Sequence, residues 1–199
     1  MNSTVKHIED SIKNSFSYQE YEALIEQLLS QNKSTTEGFG ADFVQYSKLG
    51  LQRMQRWDKR FMPDQQQKRT LQNIKQPQTW VVLAEGWCGD AAHSLPIINK
   101  LAEANDQIWL RIVLREQNLE LMNDFLTNGG KSIPKLIIYD TQNQHVLADW
   151  GPRPQPAQEL FLQAKNKGVA FEVYEQELQQ WYNKDKGQTT TAEILNLLS

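Results

Sequence analysis

The chain has 199 residues, of which 39% are hydrophobic and 23% are charged, and its formal net charge is −3. This composition argues against disorder, and the small net charge gives no indication of a nucleic-acid or membrane partner. No apolar run approaches the roughly 18–20 residues of a membrane span, and the polar N-terminus lacks the apolar stretch of a signal peptide. We therefore expect a cytoplasmic protein. Its one cysteine excludes an internal disulfide.

The region before Trp80 has helical patterns and no convincing strand. Ser17 and Glu20 form a capping-box pattern ahead of an apolar stripe of helical period. In chain order, the predicted elements are a loosely ordered arm over 1–16, a helix from about Tyr18 to Leu29, a polar loop over 31–40, a helix over about 42–61 and a short helix from Pro63-Asp64 to about Lys75.

From Trp80 onward, strands and helices alternate. The run from Trp80 to Ala84 is continuously apolar, which is typical of a strand buried on both faces. The predicted elements that follow are a helix to about Ala104, a strand over 108–114, a helix capped by Asn118, a strand over 136–139, a turn over 141–144 into a strand over 145–150, and helices over about 156–167, 171–184 and 189–198, the last with Thr190 and Glu193 as its cap. Helical connections predict a parallel pair and the short turn an antiparallel pair, so the sheet is mixed.

The candidate reactive residues lie in the stretch Glu85-Gly86-Trp87-Cys88-Gly89-Asp90. Cys88 follows the first predicted strand and opens the next helix, where ligand sites of open α/β sheets gather. The free N–H groups and positive dipole end of a helix favour thiolate over thiol, and thiolate is the nucleophile. We therefore interpret Cys88 as a reactive thiol. The alternative is a small, buried, inert cysteine.

The stretch from Trp87 to Ala91 resembles the Trp-Cys-Gly-Pro-Cys motif of thioredoxins. Pro96 lies where that family bends its active-site helix, and Pro134 corresponds to its cis-proline before the third strand. The resemblance covers about residues 80–168 and is strongest to bacterial thioredoxin-like proteins with a Trp-Cys-Gly-Asp motif. It implies a thioredoxin-like α/β fold. It also implies that Ile133, before Pro134, offers its backbone to a substrate.

Departures from the family motif change the expected chemistry. Ala91 replaces the second cysteine, so Cys88 cannot expel a bound partner through an internal disulfide. The buried acid that thioredoxins keep on the preceding strand is replaced by Val82. Glu85 is a candidate local base, with a solvated or capping carboxylate as the alternative. Asp90 is interpreted as an acid at the helix N-terminus, where its charge would oppose thiolate formation.

The predicted binding surface comprises Trp87, Gly89, Asp90, Ile133 and Pro134. In the family the Trp87 ring is exposed beside the thiol as a docking surface, and core packing is the alternative.

Other candidates receive structural interpretations. His93 follows Cys88 by five residues, so it is expected to point elsewhere. Gly151 ends a strand or lets a partner backbone approach. Residues 48–75 carry eight Lys and Arg residues, interpreted as a solvated helix face rather than a patch for an acidic partner. His7 and His145 show no metal-ligand spacing with Cys88, so no metal site is expected.

These observations predict a helical extension over 1–79, a thioredoxin-like core over 80–168 and C-terminal helices over 169–199. The expected function is monothiol redox chemistry, in which Cys88 attacks a disulfide or a low-molecular-weight-thiol adduct and an external thiol resolves the intermediate. No bound cofactor is expected, although glutathione or another small thiol would be a co-substrate. The alternatives are a redox-inactive binding module that uses the groove between Trp87 and Pro134, and iron–sulfur binding through Cys88 and glutathione in a dimer.

Overall fold

A computed structural model describes residues 3–38 and 40–198. The helices in these residues are α1 (Ser3–Lys13), α2 (Tyr18–Ser30), α3 (Ala41–Arg60), α4 (Gln65–Gln72), α5 (Gly89–Ala102), α6 (Leu119–Asp124), α7 (Gln155–Asn166), α8 (Phe171–Asp185) and α9 (Gln188–Asn196), with one 3-10 turn over Arg115–Gln117. The strands are β1 (Gln78–Ala84), β2 (Ile108–Leu114), β3 (Lys135–Asp140) and β4 (His145–Trp150).

The four strands of the described residues form a single mixed sheet in the order β2-β1-β3-β4. β1 pairs in parallel with β2, while β3 pairs antiparallel with both β1 and β4. Every residue of β1 and β3 is buried, which explains their continuous apolar sequences, since helices flank the sheet. The predicted α/β class, mixed sheet and antiparallel hairpin are therefore confirmed. β1 begins at Gln78, slightly earlier than predicted.

The prediction of a loosely ordered N-terminal arm is wrong for the described residues of that segment. Residues 3–13 form α1, whose Val5 and Ile8 are buried in the core. Phe16 then exchanges two backbone hydrogen bonds of 2.8 Å with Ile112, so the chain is tied to the edge of β2. The polar composition of the segment obscured an apolar repeat at helical spacing, which Ile12 continues.

The side-chain cap that the sequence predicts is present for α2 and absent for α6 and α9 in the described residues. The Ser17–Glu20 capping box at the start of α2 is present. Asn118 is the N-cap residue of α6, as predicted, but its side chain makes no capping hydrogen bond among the described residues and its amide donates to the Leu114 carbonyl instead. The expected cap of α9 is wrong: Glu193 accepts hydrogen bonds from the Trp150 indole and the Gln155 backbone, and the N-cap residue of α9 is Gly187, which has no side chain to cap the helix.

Helices from both terminal regions pack around α5. α3 and α9 contact α5, and α7 packs against α8. The buried Trp57 of α3 donates its indole N–H to His93 of α5 at 2.8 Å. These contacts place the predicted flanking regions against the predicted core, and the division at residues 79 and 168 stays a prediction. In the described residues, no helix is long and apolar enough to cross a membrane.

Candidate functional site

Cys88 occupies the N-cap position of α5, directly after the turn that leaves β1. Its Sγ donates to the Ile133 carbonyl oxygen at 3.3 Å and accepts from the Ala91 N–H at 3.5 Å. The residue is only 7% exposed. The fold therefore brings the thiol to the backbone just before Pro134, 45 residues further along the chain.

The environment of Cys88 does not favour the thiolate that the sequence predicts. Burial and the negative charge of Asp90 raise the pKa of Cys88 to about 12, although the Ala91 N–H and Arg153 act in the opposite direction. Desolvation is the largest effect, because a charged sulfur would lose its water shell in this site. The helix N-terminus thus does not activate Cys88 in this conformation, and the group is a neutral thiol at pH 7.

The segment opposite Cys88 has a tightly packed backbone. The Ile133–Pro134 and Gly151–Pro152 peptide bonds are both cis. Gly151 has φ +116°, and a Cβ built on it would lie 2.2 Å from the Pro134 carbonyl oxygen. The close approach that its lack of a side chain permits is therefore to the chain's own Pro134, not to a partner backbone.

Asp90 anchors a buried network beside the thiol. Its Oδ2 accepts from Nε and Nη2 of Arg153 at 3.0 and 2.5 Å, and its Oδ1 accepts from the Tyr182 hydroxyl at 2.7 Å. Both partners come from segments after the sheet. Asp90 does lie in the first turn of α5, as predicted, but its carboxylate also links that helix to Arg153 and to α8.

Glu85 is completely buried and supports the loop that precedes α3. Its Oε2 accepts hydrogen bonds from the hydroxyls of Thr35 and Thr36, the latter at 3.0 Å, and its Oε1 accepts from the Glu116 N–H at 3.1 Å. The solvated alternative is therefore wrong. In the described residues these donors, and not the Cys88 thiol, are its side-chain partners, because the side chain turns toward the loop.

Trp87 is half-buried and combines features of both sequence interpretations. Its indole N–H donates to Thr36 at 2.8 Å, and the ring packs edge-on against Phe43 with 4.8 Å between centroids. The Arg115 guanidinium lies 5.2 Å from the ring centroid, within the range of a cation–π contact. The ring is thus fixed beside the thiol instead of standing free.

His93 is buried, as the structural interpretation requires, but the expectation that it points away from Cys88 is wrong, because both residues line the same cavity. Its Nδ1 accepts the Trp57 indole N–H, and its ring stacks on Tyr182 with 4.2 Å between centroids and an interplanar angle of 5°. Burial lowers the pKa of His93 to about 4, so the imidazole is neutral at pH 7. With Nδ1 accepting, the remaining proton is on Nε2.

Cys88 opens into a cavity of about 430 Å³. The cavity includes Trp87, Gly89, Asp90 and Ile133 from the predicted surface, whereas Pro134 is not among its lining residues. The other lining side chains come mainly from helices α3, α7 and α8: Phe43, Tyr46, Arg53, His93, Arg115, Ser132, Arg153, Phe161, Phe171, Tyr174, Glu175, Leu178, Gln179 and Tyr182.

The two helical flanks meet across this cavity. The rings of Tyr46 on α3 and Phe171 on α8 pack edge-to-face with 6.2 Å between centroids. Arg53 on α3 pairs with Glu175 on α8 at 3.4 Å. The site is therefore enclosed by side chains from both ends of the chain.

Sequence reasoning missed the basic and aromatic lining of the cavity. Arg53 belongs to the stretch interpreted as a solvated helix face, yet its side chain is only 19% exposed and faces Glu175. Arg115 and Arg153 follow strands β2 and β4, at the same end of the sheet as Cys88 or just beyond it. The sequence signal that could have indicated these two residues is their position after strand ends, where ligand sites of open α/β sheets gather. Across residues 3–38 and 40–198, no three His, Cys, Asp or Glu side chains are grouped as metal ligands.

Two solved structures share the fold of this chain. A protein of unknown function from Pseudomonas aeruginosa has a similar structure, with a TM-score of 0.55 at 15% identity over 92% of this chain and 97% of that one. An HIV epitope-scaffold gives a TM-score of 0.55 at 16% identity over 92% of this chain and 98% of that one. At these identities the similarity shows the fold alone.

Family assignment comes from the sequence comparison. No curated protein matches the chain. The thioredoxin family model matches residues 39–167, which is more than half of the sequence and includes Cys88, Ile133 and Pro134. The match begins in the helical region before β1, so it starts about 40 residues before the segment 80–168 in which the motifs resemble thioredoxins. The chain belongs to the thioredoxin family.

Proposed function

We propose that the protein is a monothiol redox protein in which Cys88 exchanges with disulfides. The Cys88 sulfur attacks one sulfur of a disulfide, forms a mixed disulfide and releases the other half as a thiolate. A second, external thiol then attacks the mixed disulfide, restores Cys88 and leaves as part of a new disulfide. Cys88 gives up its proton to solvent in the first step and the released thiolate takes one up, so these two steps replace one half of the disulfide by one external thiol. A further external thiol that attacks the new disulfide releases the remaining half, and the two external thiols then supply the two electrons that reduce the original disulfide. Ala91 leaves no internal cysteine to take over the second step.

The observation that carries this proposal is the position of Sγ. It lies at the N-terminus of α5, opens into the cavity and is 3.3 Å from the Ile133 carbonyl oxygen. While the thiol is neutral, its S–H group donates a hydrogen bond to that carbonyl oxygen. When the sulfur reacts, the hydrogen bond is lost and the Ile133 carbonyl becomes available to a bound compound.

Low-molecular-weight thiols fit the resolving step. A cytoplasmic setting keeps such thiols reduced and would supply the second thiol in excess. Glutathione is one thiol of this kind, and it would act as a co-substrate rather than a resident cofactor.

Intact mass spectrometry tests the proposal. The native protein is incubated with oxidised glutathione across pH 7–10, and a mass increase of one glutathionyl group is expected on wild type and not on Cys88→Ser. Excess dithiothreitol should then return the original mass. If an adduct forms only after unfolding in urea, Cys88 does not perform disulfide exchange in the folded protein.

A second candidate function is a redox-inactive binding module. It is favoured by the low exposure of Cys88 and by the burial that raises its pKa to about 12. On this proposal the cavity binds a ligand and Cys88 contributes only packing. Cys88→Ser would then bind the same compounds with unchanged affinity and wild type would form no adduct, whereas the redox proposal requires the adduct.

A further inference from the structure

We infer that the Cys88 cavity accepts a small, carboxylate-bearing thiol or its disulfide, with an apolar or aromatic part, and not an extended segment of another protein. The inference rests on the proposed function and specifies its substrate class. It follows from three independent features of the cavity, namely its enclosure, its arginines and an unpaired donor in its wall.

Enclosure limits the size of the substrate. An extended polypeptide beside Ile133 needs an open groove, but α3 and α8 meet across the site through Tyr46 and Phe171. The remaining space, about 430 Å³, lies within the roughly 300–1,000 Å³ typical of small-molecule sites. The aromatic lining, which includes Phe43 and Tyr174, provides apolar contact for the body of a small compound.

Two arginines provide positive charge near the sulfur. In the described part of the chain, Arg53 has one ion-pair partner, Glu175, at the long distance of 3.4 Å. Its Nη1 is 3.3 Å from the position of a Cβ built on Gly89, the residue after Cys88. Arg115 donates Nε and Nη2 to Glu116 at 2.8 and 2.5 Å and Nη1 to the Lys131 carbonyl at 3.3 Å, and its guanidinium lies over the Trp87 ring. Neither hydrogen-bond partner lines the cavity.

Arg153 is not available in the same way. Asp90 holds two of its nitrogens, Gln158 accepts from the third at 2.9 Å, and the Phe161 ring lies 4.2 Å from its guanidinium carbon. Arg53 is therefore the arginine with donors left for a carboxylate, which guanidinium groups bind through paired hydrogen bonds, while Arg115 adds positive charge to the same cavity.

His93 adds a buried donor to the same wall. The residue is 1% exposed and lines the cavity, and its Nδ1 is occupied by the Trp57 indole N–H. The neutral ring therefore carries its proton on Nε2, which makes no hydrogen bond of regular geometry among residues 3–38 and 40–198, although the Gln179 side chain, also in the cavity wall, is close enough to interact with the ring. A buried donor without a partner is costly, and a ligand oxygen would satisfy it.

Two aromatic disulfides that differ in charge test the inference. 5,5′-Dithiobis(2-nitrobenzoate) carries two carboxylates, 4,4′-dithiodipyridine is neutral, and both release a coloured thiol when Cys88 attacks. Rate constants are measured on native protein and divided by those for the same protein unfolded in urea, which removes the intrinsic reactivity of each reagent. The proteins compared are wild type, Arg53→Gln, Arg115→Gln and, as a control on α3 outside the cavity, Lys59→Gln.

We expect the normalised rate of the acidic reagent to exceed that of the neutral one on wild type. Arg53→Gln should slow the acidic reagent about tenfold, as loss of a charge-assisted contact does, and Arg115→Gln should slow it about twofold to threefold through loss of positive charge alone. They should leave the neutral reagent within about twofold, and Lys59→Gln should change neither rate. Equal normalised rates for the two reagents, or an equal loss for both in the arginine variants, would overturn the inference.

The outcome separates this inference from the proposed function. If neither reagent modifies native Cys88, disulfide exchange fails and the ligand class is tested by binding alone. The probe is then 2-nitrobenzoate against nitrobenzene, titrated into Cys88→Ser with tryptophan fluorescence as the readout. Saturable binding of the acid that Arg53→Gln weakens about tenfold supports the acidic site, and equal or absent binding of the two compounds overturns it.

Discussion

Both Nε and Nη2 of Arg153 donate to the same carboxylate oxygen of Asp90, at 3.0 and 2.5 Å. This pair places opposite charges beside Cys88, and their effects on its pKa have opposite signs: Asp90 raises it and Arg153 lowers it. Because the effects of the two charges have opposite signs, desolvation is the largest effect on the pKa of the Cys88 thiol. The same pair stabilises the contact between α5 and the segment that follows β4.

Asp90→Asn should therefore make Cys88 more acidic and the protein less stable. Removal of the negative charge lowers the pKa of the thiol, so iodoacetamide should alkylate native Cys88 several-fold faster at pH 8. The variant also leaves the Arg153 guanidinium buried without its counterion. The free energy of unfolding, measured in urea, should therefore fall by about 3 kcal/mol.

Two comparisons isolate these effects. Asp42→Asn, which removes an exposed acid at the start of α3, should change neither quantity. A charge effect shifts the pH profile of alkylation, whereas transient opening of a weakened protein raises the rate at every pH. An unshifted profile in Asp90→Asn would contradict the electrostatic argument.

The pH dependence of wild-type alkylation follows from the pKa of about 12. Below that value the thiolate fraction grows tenfold per pH unit, so the rate on native protein should rise without a plateau from pH 7 to 10. In urea the same cysteine should level off above about pH 8.5, the ordinary thiol value. A native plateau near pH 8 or 9 would mean that the thiol is exposed and activated.

The same group contributes to alkaline loss of stability. Between about pH 9 and 12 the folded state keeps the Cys88 proton and the unfolded state releases it, so the folded state binds more protons. The free energy of unfolding consequently falls as pH rises through this window. Cys88→Ala should show a shallower fall between pH 8 and 10 in matched urea titrations. Equal slopes for the two proteins would contradict the raised pKa.

Glu22 on α2 provides a second test, remote from the site. Burial and the negative charges of Asp58 and Glu26 raise its pKa to about 7. The folded state therefore binds more protons than the unfolded state between about pH 4.5 and 7, and stability is lost as pH rises through that range. Glu22→Gln should raise the melting temperature at pH 8 and leave it unchanged at pH 4. The exposed Glu177→Gln serves as the charge control, and a stabilisation of equal size at both pH values would rule out the titration of Glu22 as the cause.

Gly151 should be among the positions least tolerant of substitution. A methyl group there would lie 2.2 Å from the Pro134 oxygen at φ +116°, so Gly151→Ala should cost about 4 kcal/mol. Gly168 also has a positive φ, +66°, but apart from its chain neighbours no atom of the described residues lies within 4 Å of its built Cβ, and Gly168→Ala should cost only about 1 kcal/mol. Chemical denaturation of both variants checks the difference, and similar losses would show that backbone conformation alone sets the cost.

Local patterns were sufficient for most of the fold and for the position of Cys88. The apolar run of β1, the Ser17–Glu20 capping box and the turn before β4 each report on short-range structure, and each is confirmed. Long-range relationships were not predictable in this way. The depth of Cys88, and hence the sign of its pKa shift, depends on α3 and α8, which lie about 40 and 90 residues away in the chain.

Glu85 shows the same limit at the level of one side chain. Its spacing of three residues before Cys88 suggested a local base, but its donors come from Thr35, Thr36 and Glu116. A loop some 50 residues earlier supplies two of them. No periodicity or capping rule reports such a contact, because it depends on how α3 packs against α5.

Removal of the aromatic contact over the cavity should expose Cys88. Tyr46 and Phe171 join α3 to α8 with 6.2 Å between ring centroids, and neither contacts the sulfur in the hydrogen-bond network described above. Tyr46→Ala and Phe171→Ala should each increase iodoacetamide alkylation of the native protein at pH 8 by about threefold or more, because water reaches the thiol and its desolvation decreases.

Trp109→Ala is the matched control, since it removes a large aromatic side chain that is 45% exposed on β2 and does not line the cavity. It should leave the alkylation rate unchanged. If the two cavity variants also leave it unchanged while their melting temperatures stay close to that of wild type, the contact between α3 and α8 does not control access to Cys88. The burial of the thiol would then be set by α5 and the Ile133–Pro134 segment alone.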